Sequence, residues 1–145
     1  MYSARAIDVL LVEDDAGDVY LTSEGLAAST VQSQVHVVRD GVEALQFLRR
    51  EPPYEGVVRP DLIILDLNLP RMSGRELLAE VKTDPLLRAI PVVVLTTSTS
   101  NVDITKAYEL HANLYVHKPT RLDDYLSVVQ QVEDFFERVV RLPRC

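Results

Sequence analysis

Five short apolar runs, each separated from the next by a helical pattern, constrain this chain more than any other feature. The runs are 7–12, 34–38, 61–65, 91–95 and 113–117, and the helical stretches lie near 17–29, 41–50, 74–82, 102–111 and 122–141. In the third, Leu62-Ile63-Ile64-Leu65 shows no polar alternation. A strand with one wet face alternates, whereas a continuous apolar strand is buried on both faces, as in a parallel sheet covered by helices on each side. Strands interleaved with helices predict right-handed crossovers and an α/β fold: a doubly wound, five-stranded parallel sheet in a three-layer sandwich, of flavodoxin-like order 2-1-3-4-5. The breakers agree, since Pro52-Pro53, Pro60 and Pro85 fall in connections and Pro91 opens the fourth strand.

A chain of 145 residues, 47% of them hydrophobic, can bury one good core and little more, so one domain over 1–145 is expected. A net charge of -7 argues against binding to nucleic acid or an anionic membrane, both of which need a basic face. The single cysteine, Cys145, excludes an intrachain disulfide and a thiolate metal site and fits a reducing cytosol. Residues 1–6 lack a signal-peptide apolar region, and no stretch approaches the ~20 apolar residues of a membrane span, so a cytoplasmic protein is expected.

In open α/β sheets, sites form outside the carboxyl ends of the strands. Glu13, Asp14 and Asp15 follow the first strand, Asp66 the third, Thr96 and Thr97 the fourth, and Lys118 with Pro119 the fifth. In the order 2-1-3-4-5 these four strands are neighbours, so their ends converge on one cleft. Taken singly, each has an ordinary explanation. An aspartate after a strand is usually a turn residue or cap; an acidic triplet opening a helix is expected from capping and the helix dipole, the preferred reading for Asp15. Residues 96–100 can be a polar loop with Ser100 or Asn101 as cap, and Lys118 a solvated lysine. Together they make a chemical set. Clustered carboxylates need a cation or a raised pKa. Magnesium takes one or two carboxylates plus phosphate oxygens, which fits Asp14 and Asp66 as ligands. Asp66 could then attack a phosphoryl group to form an aspartyl phosphate, with Lys118 and the Thr96 hydroxyl on the remaining oxygens.

With these pieces in place, residues 6–140 or so resemble the receiver domain of two-component response regulators. The likeness is carried by Leu10-Leu11-Val12-Glu13-Asp14-Asp15, by 61–70 with Ser73-Gly74, by Pro91-Val92-Val93-Val94-Leu95-Thr96-Thr97, and by Tyr115-Val116-His117-Lys118-Pro119. It implies Asp66 as phosphoacceptor, Glu13 and Asp14 as the acidic pair, and the Asn68 backbone carbonyl as a third ligand for Mg2+ or Mn2+. It further implies Thr96 as switch hydroxyl, Lys118 as the family's lysine, Tyr115 as an aromatic rotamer switch, and a cis Lys118–Pro119 bond. Three positions depart from the commonest pattern. Glu13 replaces an aspartate, which suggests metal contact through water; Ser73 stands for a frequent aspartate; Thr97 stands for a smaller residue, where it can restrict or orient attacking water. The runs 12–18 and 95–98 resemble the small single-domain subgroup whose partners are often bacterial phytochrome histidine kinases.

No output domain is expected after the fifth strand, so the signal must leave through a surface. In the last helix, Tyr125, Val128, Val132, Phe135 and Val139 form one apolar stripe and Leu122, Leu126, Val129, Phe136 and Val140 another. At ~100° per residue their joint arc is about 180°, wider than packing on one core requires. The first stripe is therefore the expected partner or dimer surface, with a homodimer through the fourth and fifth helical elements. His36, His111 and His117 are isolated, and core or surface roles outweigh catalysis for all three; the resemblance implies a phosphodonor histidine on a partner kinase. The downstream protein is not written in the chain. Two rival readings stand: an aspartate-nucleophile phosphatase of haloacid-dehalogenase type, and a receiver-fold binding module that does not use phosphate.

Overall fold

The computed structural model describes residues 6–28 and 32–135. Ten elements alternate along the chain: β1 (Ile7–Val12), α1 (Ala16–Ala27), β2 (Ser33–Val38), α2 (Gly41–Leu48), β3 (Leu62–Leu65), α3 (Gly74–Thr83), β4 (Val92–Thr96), α4 (Asn101–Glu109), β5 (Leu114–His117) and α5 (Leu122–Asp134). All strand pairs are parallel, in the order β2-β1-β3-β4-β5. Both expectations, fold class and strand order, are met.

The continuous apolar strands are explained by two cores, one on each face of the sheet. Leu10, Val12, Ile63, Leu65, Val92 and Val94 point into one layer, where Phe47 and Leu48 of α2, Leu77, Leu78 and Val81 of α3 and Ala107 of α4 cover them. Ile7, Val9, Leu11, Leu62, Ile64, Val93 and Leu95 point the other way, beneath Leu26 of α1 and Tyr125 and Val129 of α5. Successive side chains on a strand face opposite sides, so both faces of β1, β3 and β4 are buried, and all their residues but Asp8 and Thr96 are apolar. Asp61 lies just outside β3, where its carboxylate accepts the Asp8 N–H at 2.9 Å.

Two close approaches hold the layers in place. A Cβ at Gly25 of α1 would sit 2.8 Å from the Val129 side chain, so α1 and α5 meet at a spacing only glycine permits. At Gly74 a Cβ would collide with the Asp66 carbonyl oxygen and lie 2.6 Å from Leu67 Cα. Glycine there lets α3 start directly beneath the loop that follows β3. A capping box between Ser73 and Glu76 fixes that start.

Candidate phosphoacceptor and metal site

At the carboxyl edge of the sheet, β1 and β3 deliver Glu13 and Asp66 side by side. The Asp66 N–H extends the ladder to the Val12 carbonyl at 3.1 Å. Asp66 is buried, and its Oδ1 accepts the Asn68 N–H at 3.3 Å, which folds the β3–α3 loop back over the strand end. Asp14 is exposed beside them. Carboxylate oxygens of Glu13, Asp14 and Asp66 all lie within 4.8 Å of one another, so the acids singled out by sequence do converge. Asp15 plays the capping role expected of it, accepting the Asp18 N–H at 2.9 Å as N-cap of α1.

Lys118 enters from the end of β5 and is almost sealed, with 4% of its side chain exposed. Its Nζ donates to Glu13 Oε1 at 2.5 Å, Asp66 Oδ2 at 2.8 Å and Asp18 Oδ2 at 2.8 Å. Burial alone would favour the neutral amine, but the Asp18, Asp66 and Glu13 carboxylates together override it and hold the ammonium well above the ordinary lysine range. Burial pushes Glu13 up to about 7, with the Asp66 charge adding to it and Lys118 opposing. One ammonium therefore does not fully compensate this cluster of acids, which is the charge deficit a divalent cation would fill. The donor set is all oxygen, as Mg2+ or Mn2+ requires.

Thr96, the last residue of β4, is fully buried, and its Oγ1 has no hydrogen-bond partner. A buried hydroxyl without a partner is costly and marks a place where a ligand oxygen would be welcome. Thr97 is exposed at the rim of a cavity of about 300 Å³ that also includes Asp18, Leu21, Lys118, Leu122 and Tyr125. Tyr115 is half-buried, its hydroxyl donating to the Ser98 carbonyl at 2.9 Å, while its own N–H donates to the Tyr108 hydroxyl at 3.1 Å. The ring thus ties the edge strand to the loop carrying Thr96 and Thr97. Ser98 Oγ in turn donates to Asp103 Oδ2 on α4 at 2.6 Å, and Ser100 is the α4 N-cap.

The structure corrects three expectations. The Lys118–Pro119 bond is trans, the isomer intrinsically favoured, and Pro52–Pro53 is the cis bond among the described residues. Tyr125 is not on a partner surface: it is 3% exposed and its hydroxyl pairs with Thr22 Oγ1 at 3.0 Å. Val132 likewise packs against the core beneath α5. The reason is helical geometry, since the buried line of α5 runs through Tyr125, Val129 and Glu133, at i, i+4 and i+8, and draws the flanking Val132 with it. Of the first stripe, Val128 is half-buried, Phe135 is 41% exposed and Val139 lies outside the described residues. Leu122, 56% exposed, belongs to the cavity beside Lys118 instead.

Asp18 is the site residue that sequence reasoning missed. Its signal is helical spacing: it lies four residues after Asp14, in the first turn of α1, which starts at the same sheet edge.

A parallel sheet of this order, with an acidic cluster, a buried lysine and a strand-end hydroxyl at its carboxyl edge, has the parts of a phosphoacceptor signalling domain. The chain belongs to the response regulator receiver domain family, whose profile matches residues 9–130. It is 47% identical to response regulator Rcp1 of Synechocystis sp. over 135 residues, covering 93% of this chain and 92% of that protein. Its structure is similar to that of the phosphorylated cyanobacterial phytochrome response regulator RcpA, with a TM-score of 0.93, 47% identity, and coverage of 97% of this chain and 100% of the other. The Mn2+-bound form of Rcp1 matches with a TM-score of 0.91 and 46% identity, over 95% and 99% of the two chains. As a receiver domain the protein is a phosphoacceptor of two-component signalling, and it resembles the phytochrome-associated response regulators. Among the described residues no helix is long and apolar enough to cross a membrane.

Proposed function

We propose that the protein is a stand-alone receiver in which Asp66 accepts a phosphoryl group from a histidine kinase, one of phytochrome type, in the cytoplasm. The observation carrying this reading is the convergence of Asp66, the Glu13–Asp14 pair, Lys118 and the unpartnered Thr96 hydroxyl on one sheet edge. Asp14, Asp66 and the Asn68 carbonyl would hold Mg2+ or Mn2+. Glu13 already accepts from Lys118 through one oxygen and from the Asp15 N–H through the other, so its metal contact runs through water. The cation, when bound, neutralises charge on the transferring group. Asp66 supplies the attacking oxygen, Lys118 bonds a phosphoryl oxygen, and Thr96 moves its hydroxyl onto another. The Thr96 shift drags the 97–100 loop, to which Tyr115 and Asp103 are bonded, and so reaches α4. Turnover is limited to the protein's own phosphorylation and dephosphorylation, with Thr97 at the rim placed to restrict water.

The kinase docks over the cavity beside Lys118, which opens between α1 and the start of α5. The downstream or dimer surface lies on the other flank of α5. Gly25 of α1 abuts Val129 and the Leu126 carbonyl, so the flank with Val128 and Phe135 faces away from α1, on the side where Tyr108 covers the β5 edge. A homodimer across α4, β5 and α5 would cover it. Two experiments test this reading. A phosphorylated phytochrome-type kinase should pass its label to the wild type and not to Asp66→Asn, and label retained by the kinase in both cases contradicts the assignment. Phe135→Glu should reduce the mass seen by light scattering from dimer to monomer; an unchanged dimer removes this face from the interface.

A further inference from the structure

Lys118 has three N–H donors and spends all of them on carboxylates, of which Asp18 alone lies outside the metal cluster. Glu13 and Asp66 belong to the cluster that would also face a bound cation. Asp18 is different, because it meets Lys118 from α1, outside that cluster. An acid in the first turn of a helix is ordinary, since the dipole favours it. This one nevertheless turns its carboxylate inward to the lysine, with 28% of the side chain exposed against 4% for Lys118.

We infer that Asp18 is a positioning residue that sets how strongly a phosphoryl group is held on Asp66, by retaining part of the Lys118 charge on the α1 side. The inference rests on Asp66 being the acceptor. A phosphoryl oxygen gains a bond from Lys118 by taking over the donor now pointed at Asp66 Oδ2. Two acceptors each 2.8 Å from one nitrogen lie less than about 6 Å apart, so the Asp18 carboxylate and the phosphoryl oxygens then face each other as like charges across the ammonium. Asp18 therefore orients Lys118 and at the same time opposes retention of the group that Lys118 binds. The partial exposure of Asp18 makes this opposition sensitive to salt.

Asp18→Asn separates the two effects, because the amide oxygen still accepts the Lys118 bond while the charge is gone. With saturating Mg2+ at low ionic strength, Asp18→Asn should bind beryllofluoride about tenfold more tightly than the wild type. That advantage should shrink as salt is raised, and Asp18→Glu should return the affinity toward the wild-type value. Mg2+ alone should bind Asp18→Asn no more tightly, since the variant is one negative charge poorer. A merely structural Asp18 would instead weaken both ligands in every variant. If the wild type binds beryllofluoride and Asp18→Asn binds it equally or less well, the role of Asp18 falls and the Asp66 assignment survives. If the wild type does not bind beryllofluoride at all, both fall together.

Discussion

The raised Glu13 pKa makes cation binding depend on pH in a way that can be worked through. Burial of its carboxylate, with Asp66 adding to the effect and Lys118 opposing it, moves the group from 4.5 to about 7 in the cation-free fold. The upward shift means that the fold favours the neutral acid. Stability from this group is full below about pH 4.5 and is lost as pH rises through about 7. The shift corresponds to about 3 kcal/mol, an upper bound because the Asp66 and Lys118 charges act on Glu13 in opposite directions. A divalent cation reverses the preference, since it binds the ionised cluster and displaces the proton. The apparent Mg2+ dissociation constant should therefore weaken by up to about tenfold per unit between about pH 7 and pH 5, and level off above about pH 8. Isothermal titration of the wild type across this range reads the slope directly. In Glu13→Gln the slope near neutrality should vanish. The thermal shift caused by Mg2+ should also grow from the acid to the alkaline side of neutrality. A Kd that stays flat from about pH 5 to pH 8 would refute the idea that Glu13 holds a proton the cation must displace.

Other outcomes follow from single contacts. Thr96→Val replaces a buried hydroxyl that has no partner by a methyl of the same shape, so the cation-free protein should gain up to about 1 kcal/mol in denaturant melts while beryllofluoride affinity drops. Gly74→Ala forces a methyl against the Asp66 carbonyl and should cost about 1–3 kcal/mol, with a matching loss of Mg2+ affinity because the displaced loop carries Asn68. Thr22→Val leaves the buried Tyr125 hydroxyl without its hydrogen-bond partner and should lower stability by about 1–2 kcal/mol without changing phosphorylation.

The fold could be read from the sequence because burial on both faces of a sheet leaves a mark that few other environments leave. Leu62 to Leu65 divide between two cores, and neither core tolerates a polar residue at those positions. The crossover rule gives a parallel sheet, its order is read from the common flavodoxin-like arrangement, and that order then places Glu13, Asp14, Asp66, Thr96 and Lys118 at one edge. Legibility failed where side-chain direction, rather than position on an element, decides the outcome. Asp18 reads as one more acid in a helix's first turn, and only the reach of Lys118 from a strand a hundred residues away gives it a role. The rotation of α5 was misjudged for the same reason. Its apolar arc is broad enough for several inward lines, and the choice is made by Gly25 and Thr22 on α1, which a periodicity count on α5 alone does not contain. The proline isomer after Lys118 has no signal in residue pattern at all, since both isomers satisfy the same sequence.

The central claim is that Asp66 is the group modified. Intact-mass measurement after incubation with acetyl phosphate and Mg2+, run in parallel on the wild type and on Asp66→Asn, tests it most directly. One phosphoryl group should appear on the wild type, none on the variant, and chelating the metal should remove the signal. A phosphoryl group on Asp66→Asn, or none on a wild type that binds Mg2+, would contradict it.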